Sequence, residues 1–339
     1  MFERHSTTAH AAYNDLLRSL LDDEVAEIRG TPTRVERNGK HYWYDTFRVG
    51  SDVRKRYIGE DSAPLRARLK RHADLRARAA ERRAHRSRLV RLLRAERFLG
   101  TDGATGSLLS AMAAAGVFRL GGTVVGTHAF RLYEGELGVR YGFDQSASTD
   151  DVDIVSFERL SLVLQDVVEP PAQDVLADFD FEAVPSLHKG SVWRWRQTRS
   201  NTLVEFLTPS FAESEDLRPL AALRVTAQSL HYLNYLIADP IPAAVLYRSG
   251  VLVQIPRPER FAIHKLIVAD RRLEGADSLK AYKDRMQADF LIEVLSEDRP
   301  DDLAEAFAEA QARGARWRER IERTLSRLPD AANRLEALV

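Results

Sequence analysis

A chain of 339 residues is two to three times the common domain length, so more than one folded unit is expected. Hydrophobic residues at 44% and charged residues at 29% give a globular composition, and the absence of cysteine excludes disulfides, thiolate metal sites and cysteine nucleophiles. The formal net charge of zero hides an asymmetry: residues 54–97 carry 16 Lys or Arg against five acids, so the remainder is acidic by the same margin.

In chain order, residues 6–29 carry Leu16, Leu17, Leu20, Leu21, Val25 and Ile28 at helical spacing, and Gly30-Thr31-Pro32 ends that pattern. Asn38-Gly39 between runs rich in aromatic and β-branched residues predicts a hairpin, with Arg54–Gly59 as a third strand. Pro64 opens a segment of Ala, Leu and Arg without a breaker until Gly100, which reads as one long helix. Beyond Gly103 the texture alternates. A small apolar helix spans Ser107–Ala115, a strand runs through Val117–Gly126, and a helix lies near His128–Tyr133. Strands follow at 149–156, Val192–Gln197 and Thr202–Leu207, the last stopped by Pro209. Leu220–Ala238 and everything after Pro258 read as helical. The expected division is 1–103, 104–215 and 216–339. The longest apolar runs, such as Leu108–Leu120, fall short of the roughly 20 residues a bilayer span requires. A polar start without a signal-peptide core adds the expectation of a cytosolic protein without membrane contact.

The chemistry concentrates in Gly126-Thr127, a helix, and then Thr149-Asp150-Asp151-Val152-Asp153-Ile154. On a strand Asp151 and Asp153 share one face while Val152 and Ile154 turn to the core. Two adjacent carboxylates repel unless a cation lies between them, and Mg2+, or Mn2+ in its place, suits a few carboxylates plus phosphate oxygens. Glu205, a charge within the apolar strand pattern Thr202–Leu207, is the third candidate; set beside Asp151 it completes a three-acid cluster able to hold two ions. The Gly126-Thr127 turn at a helix start offers backbone N–H groups and a hydroxyl to phosphates, and no Walker loop occurs. Lys265, on an otherwise apolar helix face with Phe261, Ile263, Leu266 and Ile267, is the candidate triphosphate clamp.

Gly-Thr, helix, Asp-hydrophobic-Asp-hydrophobic resembles the signature of the nucleotidyltransferase fold shared with DNA polymerase beta and poly(A) polymerases. Gly126-Thr-His-Ala-Phe130, Val204-Glu-Phe-Leu-Thr-Pro209, His264-Lys265-Leu266 and Lys283–Asp289 look like a little-characterised bacterial branch, distantly similar to abortive-infection nucleotidyltransferase toxins. That likeness covers roughly residues 104–300, and the Tyr42-Trp43-Tyr44 hairpin with Tyr57-Ile-Gly59 resembles its N-terminal module. The resemblance implies an α+β protein: a mixed nucleotidyltransferase sheet flanked by helices, preceded by the hairpin and long basic helix, and followed by a helical C-terminal domain. It also implies Mg2+-dependent transfer of a nucleoside monophosphate from an NTP to an acceptor hydroxyl on RNA, such as tRNA, or on protein. Asp151, Asp153 and Glu205 are then catalytic metal ligands, with Gly126, Thr127 and Lys265 on the nucleotide. Glu205 as ligand and Glu205 as base both stay open.

Other readings stand beside this one. The basic 54–97 segment either packs on its own body or binds phosphates without sequence preference, with Tyr42, Trp43, Tyr44 and Tyr57 stacking on bases or filling a hairpin core. The long helix is also a device for a homodimer. A nucleic-acid-binding protein with an inactive or regulatory core is the alternative function, and a small-molecule acceptor a third. His128 and His264 read as packing residues, Lys280 and Asp284 as a helix-surface pair, and Asp289 as a candidate to position Lys265 or the base.

Overall fold

The computed structural model describes residues 2–24, 30–49, 52–142, 151–156, 167–185, 192–199, 202–211, 215–273 and 278–338. Thr149, Asp150, Val25 and Ile28 of the expectations above lie outside these.

Helix α1 (Thr7–Glu24) precedes a three-stranded antiparallel sheet of β2 (Thr31–Arg37), β3 (Lys40–Val49) and β4 (Asp52–Glu60). The β2–β3 turn is the expected one: Asn38 and Gly39 both have positive φ, 52° and 71°, the combination a two-residue hairpin of this twist demands. Strand β1 (Glu3–Arg4) pairs instead with β6 (Val139–Arg140). Helix α2 (Ala63–Ala95) is a 33-residue element capped by the Ser62 hydroxyl and opened by Pro64. Its two ends are anchored differently. Leu65 and Leu69 pack on Trp43 and Ile58 of the small sheet, whereas Val90 and Leu93 join Tyr13 and Leu16 of α1. Between those anchors Arg71, Arg78, Arg83 and Arg88 are exposed, so the basic stretch bridges two modules on its apolar ends.

The main body begins with α3 (Gly103–Ala115) and holds a seven-stranded mixed sheet. Its principal order is β11 (Leu217–Leu220), β12 (Val225–Leu230), β10 (Leu203–Pro209), β7 (Val152–Ser156), β5 (Gly122–Val124); β9 (Arg194–Gln197) pairs with the first half of β10 and carries β8 (Phe181–Ala183) on its far edge. Strands β7, β10 and β12 are parallel to one another, and β5, β9 and β11 run against their neighbours. Val152, Ile154, Val204 and Phe206 are fully buried on one face of this sheet. Helix α4 (Gly126–Leu137) packs there through Phe130 and Tyr133, whose hydroxyl donates to the Pro256 carbonyl at 2.8 Å. Helix α5 (Ala172–Ala177) contacts α3.

The segment 220–238, read from sequence as helical, is instead strand β12 with a short helix α6 (Leu233–Leu236). Its burial alternates residue by residue, with Val225, Ala227 and Ser229 inward, so the period-2 pattern over six residues governs and not helix propensity. The sheet therefore continues past residue 215. Likewise β5 is three residues long, because residues 116–121 form turns and not strand. A hairpin of β13 (Ile241–Val245) and β14 (Val251–Ile255) leads to five helices: α7 (Pro258–Leu273), α8 (Ser278–Asp298), α9 (Pro300–Ala312), α10 (Ala315–Leu325) and α11 (Pro329–Glu336). One contiguous apolar core extends from Leu108 to Leu335, joining the sheet and these helices. Among the described residues no helix is long and apolar enough to cross a membrane.

Candidate active site

Strand register sets the site. Asp153 on β7 is the direct partner of Glu205 on β10, and Glu205 is the direct partner of Arg194 on β9. Three strands thus place acid, acid and guanidinium in one row on the face opposite Val152 and Val204. Asp151 is half-buried two residues before Asp153. The Gly126 turn closes on the same point: Val125 N–H donates to the Asp153 carbonyl at 3.0 Å. Gly126 has φ of 66°, and a Cβ there would approach Asp153 Oδ2 to 2.8 Å. Only glycine satisfies both the backbone and the space. Thr127 is half-buried in the first turn of α4, and its hydroxyl has no hydrogen-bond partner among the described residues.

Asp153 has its carboxyl pushed up to about 7, first by burial and then by the negative charges of Glu205 and Asp151. Burial also raises Glu205, against the pull of Arg194, whose Nε lies 2.6 Å from Glu205 Oε1 while its guanidinium sits 4.3 Å from the Trp193 ring centre. Sequence reasoning missed Arg194, because only the antiparallel β9–β10 register brings it opposite Glu205. Among the described residues no three Asp, Glu or His side chains converge closely enough to cage a metal ion. Asp151 and Asp153 carry hard carboxylate oxygens, the donor type a divalent ion takes. Glu205 is engaged by Arg194.

A cavity of about 350 Å³ opens beside Asp153, with Gly126, His231, His264, Lys265 and Arg272 in its walls; Asp151 and Glu205 do not line it. Its helical wall is one stripe of α7, residues 261, 264, 265, 268, 271 and 272. Lys265, the candidate triphosphate clamp, is one of the residues lining this cavity. What holds it was misassigned. Asp284, expected on a helix surface with Lys280, is 1% exposed and accepts from Lys265 Nζ at 2.5 Å and from Arg272. Asp289, expected to position Lys265, instead faces Glu293, Asp330 and Arg334. Lys280 contributes its charge near Glu205. His264 is buried and pushed down to about 3, by burial first and by the Lys265 charge second, so it is a neutral wall residue at physiological pH.

A nucleotidyltransferase family model matches residues 103–312, more than half of the chain and the whole of this site. The chain belongs to the nucleotidyltransferase family. A domain of unknown function matches residues 12–67, which take in most of α1, the small sheet and the start of α2. No curated protein matches. Among solved structures, an antigenic nucleotidyltransferase-like protein from Paracoccidioides brasiliensis is similar at 17% identity and a TM-score of 0.36, over 70% of this chain and 94% of that one. Nucleotidyl transfer in general is the activity to which family membership points.

Proposed function

We propose that this nucleotidyltransferase moves a nucleoside monophosphate from an NTP to a hydroxyl of RNA, tRNA included, or of protein. The observation that carries the reading is the row Asp153–Glu205 with Asp151 beside it and the Gly126 turn pressed against Asp153. Asp151 and Asp153 would hold a divalent ion, Mg2+ or Mn2+, which when bound supplies charge stabilisation at the reacting phosphate. Lys265 and Arg272, fixed by Asp284, neutralise the triphosphate from the helical wall. The Thr127 hydroxyl and the first turn of α4 offer donors to phosphate oxygens. The acceptor oxygen bonds to the α-phosphorus, the bond from that phosphorus to the bridging oxygen breaks, and pyrophosphate leaves with the electron pair. Glu205, with its carboxyl raised, takes the acceptor proton if Arg194 swings aside, and otherwise the proton passes to solvent.

A second reading draws on a specific observation: the Arg194–Glu205 contact occupies the third acid, as in a core whose role is regulatory or nucleic-acid binding. Incubation with Mg2+, each α-labelled NTP, total RNA and cell extract separates the two. The first reading expects a labelled macromolecule and a loss of about 10³-fold or more in Asp153→Asn, several kcal/mol of charge stabilisation being at stake. Label transfer that survives Asp153→Asn sinks it, and no label in any combination leaves the second.

A further inference from the structure

A second, larger cavity of about 870 Å³ lies beside the first, and His231 is in the wall of both. Its other walls are aromatic and cationic. Phe211 is 60% exposed. Tyr232 and Trp317 meet edge to face with centroids 4.8 Å apart, and the Arg313 guanidinium lies 5.3 Å from the Trp317 ring centre, steered by Glu309 at 2.6 Å. Arg316 is exposed on the first turn of α10 and has no carboxylate partner among the described residues. Tyr232 holds a left-handed backbone with φ of 72°, a strain on the order of 1–3 kcal/mol for a bulky residue, and this turn presents its ring to Trp317. Arg316 and Trp317 lie just beyond the 103–312 span of the family match.

We infer that the groove seats the last nucleotides of a single-stranded RNA acceptor and leads its terminal hydroxyl past His231 toward Asp153. The acceptor role rests on the transferase reading above. Triphosphate chemistry belongs to the smaller cavity with Lys265 and Arg272, and the second substrate enters by the adjoining space. Ring faces with guanidinium groups among them bind bases by stacking and phosphates by charge, without need of sequence readout. A peptide acceptor brings neither the planar bases nor the row of phosphates that these side chains match.

The test is fluorescence anisotropy of the full chain with a fluorescein-labelled single-stranded hexaribonucleotide, beside filter binding of α-labelled NTPs. Phe211 and Arg316 are both exposed, so Phe211→Ala/Arg316→Glu is expected to fold as the parent does. It should weaken hexamer binding by about tenfold or more and leave NTP binding within about twofold. Asp153→Asn should keep the hexamer affinity while losing label transfer. Hexamer binding that survives the double variant overturns the groove. So does a loss of NTP binding in that variant, which would make this the site of the nucleotide's own base, and so does label passing to protein regardless of the variant. Hexamer binding that depends on Phe211 and Arg316 in a chain that transfers no label supports the RNA site and defeats only the transferase reading.

Discussion

Asp153 and Asp284 are both acids withdrawn from solvent beside one cavity, yet their surroundings are inverted. Asp284, on the helical side, accepts from Lys265 and Arg272 and is compensated within the protein. Asp153, on the sheet side, rises to about 7 through burial first and then through its acidic neighbours Glu205 and Asp151, with Lys265 and Arg272 offsetting only part of this. A carboxylate paired by the fold is structural or positioning. One that burial and like charge disfavour in its ionised form is a candidate for binding or catalysis. The helical wall is thus finished in the folded chain, and the sheet wall keeps an acid that burial and like charge disfavour in its ionised form.

The largest expected effect on stability comes from breaking the finished wall. Asp284→Ala leaves the Lys265 ammonium, 10% exposed at its side chain, without its partner. A loss of about 3–5 kcal/mol is expected in denaturant unfolding. Replacing the pair together, Asp284→Leu with Lys265→Met, should restore most of that stability and still raise KM for the NTP. A double variant as unstable as the single one would show that packing around Asp284, and not charge pairing, is the cause.

On the sheet wall the sign reverses. Asp153 binds its proton more tightly folded than unfolded, so between pH 3.8 and about 7 stability falls as pH rises, and the penalty is complete above that window. Asp153→Asn should therefore stabilise the metal-free chain at pH 8, by at most on the order of 4 kcal/mol, and the gain should vanish near pH 4. Added Mg2+ or Mn2+ should raise the melting temperature of the parent and not of Asp153→Asn. A destabilised Asp153→Asn would place Asp153 with Asp284 as a compensated, structural acid.

His264 supplies an opposed slope on the same cavity. Its folded value of about 3 lies below the ordinary 6.5, so the unfolded chain binds more protons between those limits. The stability that neutral His264 allows is fully present above pH 6.5 and is lost as pH falls toward 3. His264→Gln should resist acid better than the parent, the difference growing by about 1.4 kcal/mol per pH unit below 6.5. Parallel pH profiles for the two proteins would mean that water reaches the His264 ring.

How much of this was legible in the sequence depended on the range over which each signal acts. The Asn38-Gly39 hairpin and the helix opening at Pro64 are local, and both appear in the structure where the residues predicted them. The neighbouring strands of Asp153 and Glu205 were legible because an acid inside an apolar strand is conspicuous wherever the strand ends up. Arg194 and Asp284 were not. Each owes its place to a pairing between separate elements, Arg194 through the β9–β10 register and Asp284 through helix packing 19 positions from Lys265. Strand β12 was hidden for another reason: with only six residues, its alternation is too short to outweigh Ala, Leu and Gln, which favour helix.

The same contrast between finished and unfinished surfaces holds for α2 against the body. Its apolar ends are packed, while Arg71, Arg78, Arg83 and Arg88 stand exposed with no ion pair among the described residues. Changing these four to Ala should alter stability by no more than about 0.5 kcal/mol each, since nothing buried depends on them. Their effect should emerge in RNA binding. For each arginine that touches a phosphate, the slope of log K against log salt should shrink by about 0.7 on a single strand. The Phe211→Ala/Arg316→Glu variant should lower affinity more than it lowers that slope, because stacking releases no counterions. If the four-arginine variant keeps the parent's slope, the phosphates are held elsewhere, and α2 becomes a spacer between two modules or the surface of a homodimer, a choice that sedimentation over a range of protein concentration decides.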